Sequence, residues 1–363
     1  MTIKKPTLGV LLGDSSGIGP EIAAKLLDRQ EIHAAANVVI VGDYRIFRMG
    51  QAIAGLSHPV TLIDRLDRAS FEAGRPSFYD YPALSDRDVT LGKVNAASGK
   101  AVVDTLLFAV ELARDGKLDG FVFAPFNKEA MILGGLPHHS ELDLFKATFN
   151  RPDIPGEVSV LDDLWTTRVT SHIGIAEVSA RITRESVHNA IRFLHGVLRT
   201  SGVQQPRLAV SALNPHAGEG GAFGSEEKEA IAPAIAAARA EGIDADGPFP
   251  ADTVFLRVKE GNYHAVVSMY HDQGQIATKL LGFDRGVTVH GGLPVAIATP
   301  AHGTAFDIAG RGVANPEGIT RAFLIASRLA KRLEQGGVPS GGLFRHSTCS
   351  GGAPTQGKAG ALA

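Results

Sequence analysis

Short runs of β-branched and other apolar residues alternate with longer helical segments along most of this chain. Residues 7–14 (TLGVLLGD) and 36–43 (ANVVIVGD) are typical of buried strands. The longest helical segment, residues 96–117, carries apolar side chains at helical spacing, among them Val103, Leu106 and Val110. This alternation predicts an α/β protein with mainly parallel sheet.

Other elements follow the same two patterns. Further strands are predicted at residues 120–125, 168–173, 207–213 and 264–269, and further helices at residues 19–29, near 183–200 and 225–240, and at 317–335. The length of 363 residues fits two domains or one large α/β unit. Residues 337–363 are rich in Gly, Ser and Ala, so they are predicted to form a flexible tail.

Charge and composition narrow the classes of partner. The 36 Lys and Arg residues nearly balance the 38 Asp and Glu residues, so bulk charge does not favour a nucleic acid or a membrane surface. A run of eighteen apolar residues is absent, so no transmembrane helix is expected. Cys349 is the single cysteine, which excludes an internal disulfide and a Cys-rich zinc site and favours a cytoplasmic location.

Three histidines, His172, His216 and His271, each come where a predicted strand ends. The carboxyl ends of parallel strands face the crevice where α/β proteins bind ligands, and three imidazoles there suit Zn²⁺ or a similar ion. Asp272, beside His271, is placed to orient a ligand histidine or to take part in proton transfer. The alternative is that these histidines make ordinary loop hydrogen bonds.

Residues 302–316 (HGTAFDIAGRGVANP) have no apolar period and mix Gly, Ala, Asp and Asn, as a loop around a polar ligand does. The segment resembles the adenosine-binding loop of the isopropylmalate and isocitrate dehydrogenases. That resemblance implies adenine contacts from His302, Gly303, Ala305 and Asn315. It implies that Asp307 accepts a hydrogen bond from the ribose 2′-hydroxyl, which favours NAD over NADP. The alternative is a structural turn that leads into the last helix.

Seven segments, in order along roughly residues 8–320, are similar to motifs of the 4-hydroxythreonine-4-phosphate dehydrogenase (PdxA-like) family. They are GDSSGIGPEI, APFNKEA, HHSE, LNPHAGEGG, GPFPADTVF, YHDQG and HGTAFDIAGRG. The resemblance implies two α/β domains with the active site between them. We place a cofactor-side domain at residues 1–130 plus 290–336, and a domain for metal, substrate and dimerisation at residues 131–289.

The resemblance also implies a homodimer with a shared active site, NAD, and a divalent metal, Zn²⁺ before Mg²⁺ or Co²⁺, on His172, His216 and His271. The reaction of the family oxidises a hydroxyl group β to a carboxylate and then removes CO₂. A metal suits both steps, because it polarises the new carbonyl group and stabilises the enolate that remains.

Further site residues follow from matching these motifs. The implied substrate contacts are His139, Ser140 and Lys279, and the candidates for catalysis are Asp252, Asp272 and Lys279. Asp252 is equally suited to cap the helix that follows it. Lys279 on a surface helix is otherwise an ordinary solvated charge.

Two positions depart from the pattern. Thr288 stands where biosynthetic members carry a substrate-contacting asparagine, and Ile297 stands where they carry an arginine. Arginine is well suited to bidentate phosphate contacts, and isoleucine cannot replace it. The resemblance implies a 4-hydroxythreonine-4-phosphate dehydrogenase-like function, and these two departures support an alternative. In the alternative, the pocket accepts an unphosphorylated or cyclic hydroxy acid, such as a cis-dihydrodiol carboxylate from aromatic degradation, better than a phosphorylated one. A non-catalytic ligand-binding relative is the hypothesis from a different class.

Overall fold

The computed structural model of the protein describes residues 5–71, 75–84 and 88–334. The predicted flexible tail at residues 337–363, which includes Cys349, lies outside the described residues. Within the described ranges, none of the helices combines the length and the apolar composition needed to cross a membrane.

The described strands form one sheet of mixed direction, in the order β3-β4-β2-β1-β5-β12-β11-β6-β7-β10-β8-β9. The strands are β1 (Thr7–Leu11), β2 (Asn37–Gly42), β3 (Thr61–Ile63), β4 (Ser77–Asp80), β5 (Gly120–Phe123), β6 (Val158–Leu161), β7 (Leu164–Arg168), β8 (Arg207–Ser211), β9 (Asp244–Phe249), β10 (Ala265–Ser268), β11 (Val287–Val289) and β12 (Ala296–Pro300).

The helices pack on both faces of this sheet. They are α1 (Gly19–Leu26), α2 (Gln30–Ala35), α3 (Tyr44–Ala54), α4 (Ala96–Arg114), α5 (Lys128–Leu133), α6 (Glu141–Thr148), α7 (Ile175–Arg181), α8 (Arg184–Ser201), α9 (Ala232–Ala240), α10 (Val254–Lys259), α11 (His271–Gly282) and α12 (Glu317–Glu334). The α/β class, the mainly parallel sheet and the long helices predicted from periodicity are confirmed.

The two parallel portions of the sheet run in opposite directions. β11 pairs antiparallel with β12 and β6, and β6 pairs antiparallel with β7. The carboxyl ends of β1, β5 and β12 therefore lie at one edge of the sheet, and those of β7, β10 and β8 lie at the opposite edge. The direction changes because β12, β11, β6 and β7 pair antiparallel in succession.

The reversal coincides with the predicted division of the chain. Strands from residues 1–130 and 290–336 make up one half of the sheet, and strands from residues 131–289 make up the other. The sheet is continuous between β12 and β11. The division into two domains and the separate role of each half stay predictions.

One face of the central strands is apolar and the other is polar. On the apolar face, four valines of β6 and β11 pack in the main core: Val158, Val160, Val287 and Val289. Residues directly paired across neighbouring strands point to the same face, and alternate residues point to opposite faces. The intervening positions therefore present a second, different set of side chains to the helices α4, α5, α6 and α11.

Candidate active site

A row of four hydroxyl side chains crosses the polar face of the sheet. Thr299 pairs with Thr288, Thr288 with Ser159, and Ser159 with Thr166. Thr288 and Thr299 are half-buried, and Gln275 of α11 donates a hydrogen bond to Ser159 Oγ at 2.9 Å. On this face the central sheet therefore presents hydroxyl groups, which form hydrogen bonds with polar groups instead of packing against apolar ones. We call this surface of four hydroxyl residues, the hydroxyl row, the floor of the site.

A second row, two residues along the strands, is charged at one end. It comprises Ile297, His290, Glu157 and Arg168. Extending the strand register by two residues places these side chains opposite one another, in that order. Arg168 Nη2 donates to Glu157 Oε2 at 3.2 Å, and Arg168 Nε donates to Ser171 Oγ at 2.8 Å. We call Arg168, Glu157 and His290 the charged row.

His290 is the unusual member of the charged row. His290 is only 4% exposed, and both ring nitrogens are buried without a hydrogen-bond partner among the described residues. Its Nδ1 lies 4.0 Å from Glu157 Oε1. Burial, opposed by the carboxylates of Glu157 and Glu141, lowers the pKa of His290. The ring packs against Phe123 and Phe145, and this apolar contact favours the neutral imidazole.

Ile297 lies at the apolar end of that row. It is 0% exposed and packs in the second core cluster, which also contains Phe121 and Phe145 of α6. The expectation that Ile297 lines an open substrate pocket is wrong, because its side chain is fully buried in this core cluster.

Two of the predicted metal ligands lie close together. β7 and β10 are neighbours in parallel register, and the rings of His172 and His271, which follow these strands, have centroids 5.5 Å apart. Desolvation, followed by the charges of Lys128 and Arg168, lowers the pKa of His172 and favours its neutral form. These two imidazoles therefore lie close enough to share a metal ion, and His172 is also favoured in the neutral form that binds one.

Asp272 orients His271. Its Oδ1 lies 2.7 Å from Nδ1 of His271, which leaves Nε2 as the free ligand atom. His271 begins α11 rather than a loop. A Cβ atom on Gly274 would lie 2.8 Å from Ser268 Oγ, so glycine at this position lets the helix start directly against the end of β10.

His216 lies on the loop after β8, the strand beside β10. The backbone of residues 216–220 is left-handed throughout, and the His216 side chain is 69% exposed. Its Nδ1 lies 3.0 Å from Glu219 Oε2, so again Nε2 is free. Among the described residues, however, no three His, Cys, Asp or Glu side chains are gathered in a metal-ligand arrangement.

The predicted cofactor loop lies at the other edge of the sheet, between β12 and α12. Its backbone contacts the GDSSG turn, where Ile18 N donates to Thr304 O at 3.0 Å and a Cβ atom on Gly17 would lie 2.7 Å from Thr304 O. His302 is half-buried, and its Nδ1 lies 3.1 Å from Gly303 O. Gly17 therefore allows a close approach between these two loops.

The remaining predicted cofactor residues lie on the surface of that loop. Asp307 and Asn315 are exposed, and Ala305 has a left-handed φ of 44°. Asn315 Oδ1 accepts from Glu317 N at 3.0 Å, so it also supports the first turn of α12. The Nδ2 group of Asn315 can still donate to a ligand while Oδ1 accepts this hydrogen bond.

Sequence reasoning missed a clamp on the cofactor loop. Lys25 Nζ donates to Glu21 Oε1 at 2.8 Å, to Gly312 O at 2.9 Å and to Ala314 O at 2.8 Å. Ala314 N in turn donates to Glu21 Oε1 at 2.7 Å. The four-residue spacing of Glu21 and Lys25 in a helix predicts their contact with each other but gives no indication of the distant loop.

The predicted substrate residues have visible structural roles as well. Ser140 is the N-cap of α6 and accepts from Asp143 N at 3.2 Å, with His139 exposed just before it. Lys279 is exposed in the last turn of α11. Asp252 is exposed and does not cap α10, because the N-cap is Thr253, without a side-chain cap.

The family model described as pyridoxal phosphate biosynthetic protein PdxA matches residues 34–326 of this chain. A Pseudomonas aeruginosa protein provisionally named 4-hydroxythreonine-4-phosphate dehydrogenase 2 is 46% identical over 328 residues, 90% of this chain and 97% of its own. D-threonate 4-phosphate dehydrogenase of Cupriavidus necator is 37% identical over 330 residues, 90% of this chain and 98% of its own.

Solved structures of named dehydrogenases are similar to this chain in fold as well as in sequence. The 4-hydroxythreonine-4-phosphate dehydrogenase of Klebsiella pneumoniae matches with a TM-score of 0.79 and 35% identity, covering 91% of this chain and 100% of that chain. The terephthalate 1,2-cis-dihydrodioldehydrogenase of Burkholderia xenovorans LB400 matches with a TM-score of 0.60 and 27% identity, covering 86% of this chain and 95% of that chain.

Proposed function

Because the chain belongs to the PdxA family of pyridoxal phosphate biosynthetic proteins, we propose that it is a metal-dependent dehydrogenase that uses NAD to oxidise a small phosphorylated hydroxy acid. The observation that carries this proposal is the charged row next to His172. It brings a guanidinium, and nearby Lys128, beside a predicted metal ligand. The named activities of the relatives, on 4-hydroxythreonine 4-phosphate and D-threonate 4-phosphate, support the same substrate class.

The proposed reaction removes a hydride from the carbon that carries the hydroxyl group and a proton from its oxygen. NAD⁺ takes the hydride, and the resulting β-keto acid then loses CO₂. Asp272 holds His271 in a fixed orientation, and exposed Asp252 and Lys279 are the proposed proton carriers. Half-buried Thr288 lines the proposed substrate floor.

We assign a divalent metal, with Zn²⁺ first, to His172, His216 and His271. The donor set fits, since Nε2 is free on His271 and His216, and the pKa of His172 is lowered toward the neutral ligand form. Such an ion supplies Lewis-acid polarisation of the reacting oxygen. Replacement of His216 is proposed to weaken this site without disturbing the core, because the side chain is exposed.

The proposed cofactor contacts are those of the loop after β12. Exposed Asp307 is available to accept from a ribose 2′-hydroxyl and would repel a 2′-phosphate. The clamp from Glu21 and Lys25 holds the second half of this loop.

A homodimer with a shared active site is the proposed assembly, in a reducing cytoplasm. α11, which starts at His271, exposes the apolar side chains of Ile276, Leu280 and Leu281, and exposed Phe283 follows directly after the helix. Leu280 is 83% exposed, and such an apolar stripe favours burial against another protein surface. A Leu280→Asp variant is expected to dissociate in sedimentation and lose activity. A Leu256→Asp variant, on α10, is the matched control.

The alternative substrate class is a cis-dihydrodiol carboxylate, the class named for the Burkholderia xenovorans relative. The argument from the missing arginine weakens, because Ile297 is fully buried in an apolar core cluster rather than facing a pocket. Arg168 of the charged row and nearby Lys128 favour a phosphorylated acid.

One assay separates these proposals. NADH formation is measured with D-threonate 4-phosphate, 4-hydroxythreonine 4-phosphate and terephthalate cis-dihydrodiol, each with Zn²⁺, with Mg²⁺ and after chelation. Higher kcat/KM for a phosphorylated acid, lost on chelation, is the expected result. Higher kcat/KM for the dihydrodiol contradicts the proposed substrate class. Binding of the acids without turnover under all metal conditions indicates a non-catalytic relative.

A further inference from the structure

Resting on the proposed function, we propose that Arg168 holds the phosphate group of the substrate, with Lys128 as a second cation. Glu157 is then a positioning residue that fixes the guanidinium. Arg168 lies outside all seven of the sequence motifs.

The contacts of Arg168 leave capacity for a ligand. A guanidinium has five N–H donors, and the two hydrogen bonds to Ser171 and Glu157 engage Nε and Nη2. Nη1 makes no hydrogen bond with any residue that the structure describes. An arginine that served only to neutralise Glu157 would gain most from a two-pronged pair, whereas this pair is single and the other oxygen, Oε1, faces His290 at 4.0 Å.

The local charge also favours an anion. Arg168 and Lys128 are two cations. Desolvation opposes ionisation of the Glu157 carboxyl, but the charges of His290, Arg168 and Lys128, with the hydrogen bond from Arg168, lower its pKa. One carboxylate between two cations leaves one positive charge, and the Arg168 side chain is only 8% exposed, so solvent screens it weakly. His290 adds no charge while it is neutral. A phosphate would complete the balance.

The position of Arg168 matches the rest of the proposed site. Ser171, its hydrogen-bond partner, directly precedes His172, and Thr166 of the hydroxyl row lies two residues earlier on the same strand. The proposed phosphate ligand Arg168, the predicted metal ligand His172 and Thr166 of the hydroxyl row thus belong to one continuous segment. A short hydroxy acid is expected to bridge Arg168 and the metal side.

The test compares Arg168→Gln and Arg168→Lys with wild type on a phosphorylated and an unphosphorylated acid, D-threonate 4-phosphate and D-threonate. We expect Arg168→Gln to raise KM for the phosphorylated acid about tenfold or more, with kcat/KM for D-threonate changed less than threefold. Arg168→Lys should recover part of the loss, since it restores the charge but not the planar fork. The matched control is Arg207→Gln, an exposed arginine on β8 whose Nη2 donates to Gly261 O.

Inorganic phosphate provides a second measurement that does not depend on turnover. It should raise the thermal unfolding midpoint of wild type and of Arg207→Gln but not of Arg168→Gln. If Arg168→Gln does not fold, Arg168→Lys decides, and an unchanged KM for the phosphorylated acid overturns the assignment. Equal loss of activity on both acids overturns it too, because a structural role predicts that result.

The two proposals fail in different ways. If wild type turns over the phosphorylated acid and Arg168→Gln keeps the same KM, the anion assignment is wrong and the proposed function stands. If wild type turns over none of the acids but phosphate still stabilises it through Arg168, the proposed function is wrong and the anion site stands.

Discussion

The clamp between Lys25 and the cofactor loop makes a quantitative prediction. Glu21 is 1% exposed and the Lys25 side chain is 19% exposed, so Lys25→Met leaves a carboxylate buried without its charged partner. Removing one partner of a buried pair costs roughly 3–5 kcal/mol, and the partial exposure of Lys25 places this case near about 3 kcal/mol. The loss also includes two hydrogen bonds to backbone carbonyls.

A double-mutant cycle isolates the cause of that loss. Glu21→Gln together with Lys25→Met removes the uncompensated charge, so the double variant should be more stable than Lys25→Met alone. Urea denaturation followed by the fluorescence of Trp165, the single tryptophan, gives the free energies of unfolding. The control is Lys100→Met, which breaks an exposed pair with Asp104 at the same i,i+4 spacing and should change stability little.

The same variant tests the link to the cofactor. Because the clamp holds the backbone at Gly312 and Ala314, Lys25→Met should raise KM for NAD while kcat at saturating NAD changes less. A loss below about 1 kcal/mol in Lys25→Met, or a double variant at least as unstable as the single one, refutes the buried-charge argument. A KM for NAD equal to that of wild type refutes the connection to the loop.

Three further outcomes are expected. Asp307→Lys should narrow the preference for NAD over NADP in steady-state kinetics, and equal use of both cofactors by wild type would show that the loop is misassigned. His216→Ala should abolish metal-dependent turnover with an unchanged circular dichroism spectrum, and full activity in that variant or after exhaustive chelation would refute the metal site. Native His290 has a lowered pKa, so below about pH 6.5 the unfolded chain binds a proton that the native chain does not, and stability falls as the pH falls. His290→Leu should therefore give a shallower loss of thermal midpoint between about pH 8 and pH 5, and an equally steep loss would contradict the burial of a neutral ring.

Local patterns in the sequence were sufficient for the element types and for several site residues. The period of apolar residues distinguishes strand from helix, which is why β1, β2, β10 and α4 were predicted close to their observed bounds. The pairing of Asp272 with His271 was also predictable, because adjacent residues at a strand end cannot separate widely. The family could be inferred from motif order, which is independent of the fold.

Other features needed the paired strands. The alternation in residues 157–168 is visible in the sequence, but its polar positions become one surface only when β6, β7, β11 and β12 align in register. Glu157, Arg168 and His290 are up to 133 residues apart in number order and were not connected by any local signal. The burial of Ile297 depends likewise on a core cluster whose other members, such as Phe121 and Phe145, are distant in sequence.

Strand direction is the clearest case of a property that the tertiary structure alone decided. A strand pattern contains the spacing of apolar residues but not the direction in which its neighbour runs, so the sequence did not show that His172 and the cofactor loop lie at opposite edges of the sheet. The hairpin between β6 and β7, through Asp162 at a left-handed φ of 51°, reverses the chain. Direction follows from which strands pair across the whole chain, because hydrogen bonds between distant backbone segments set it and local side-chain chemistry does not.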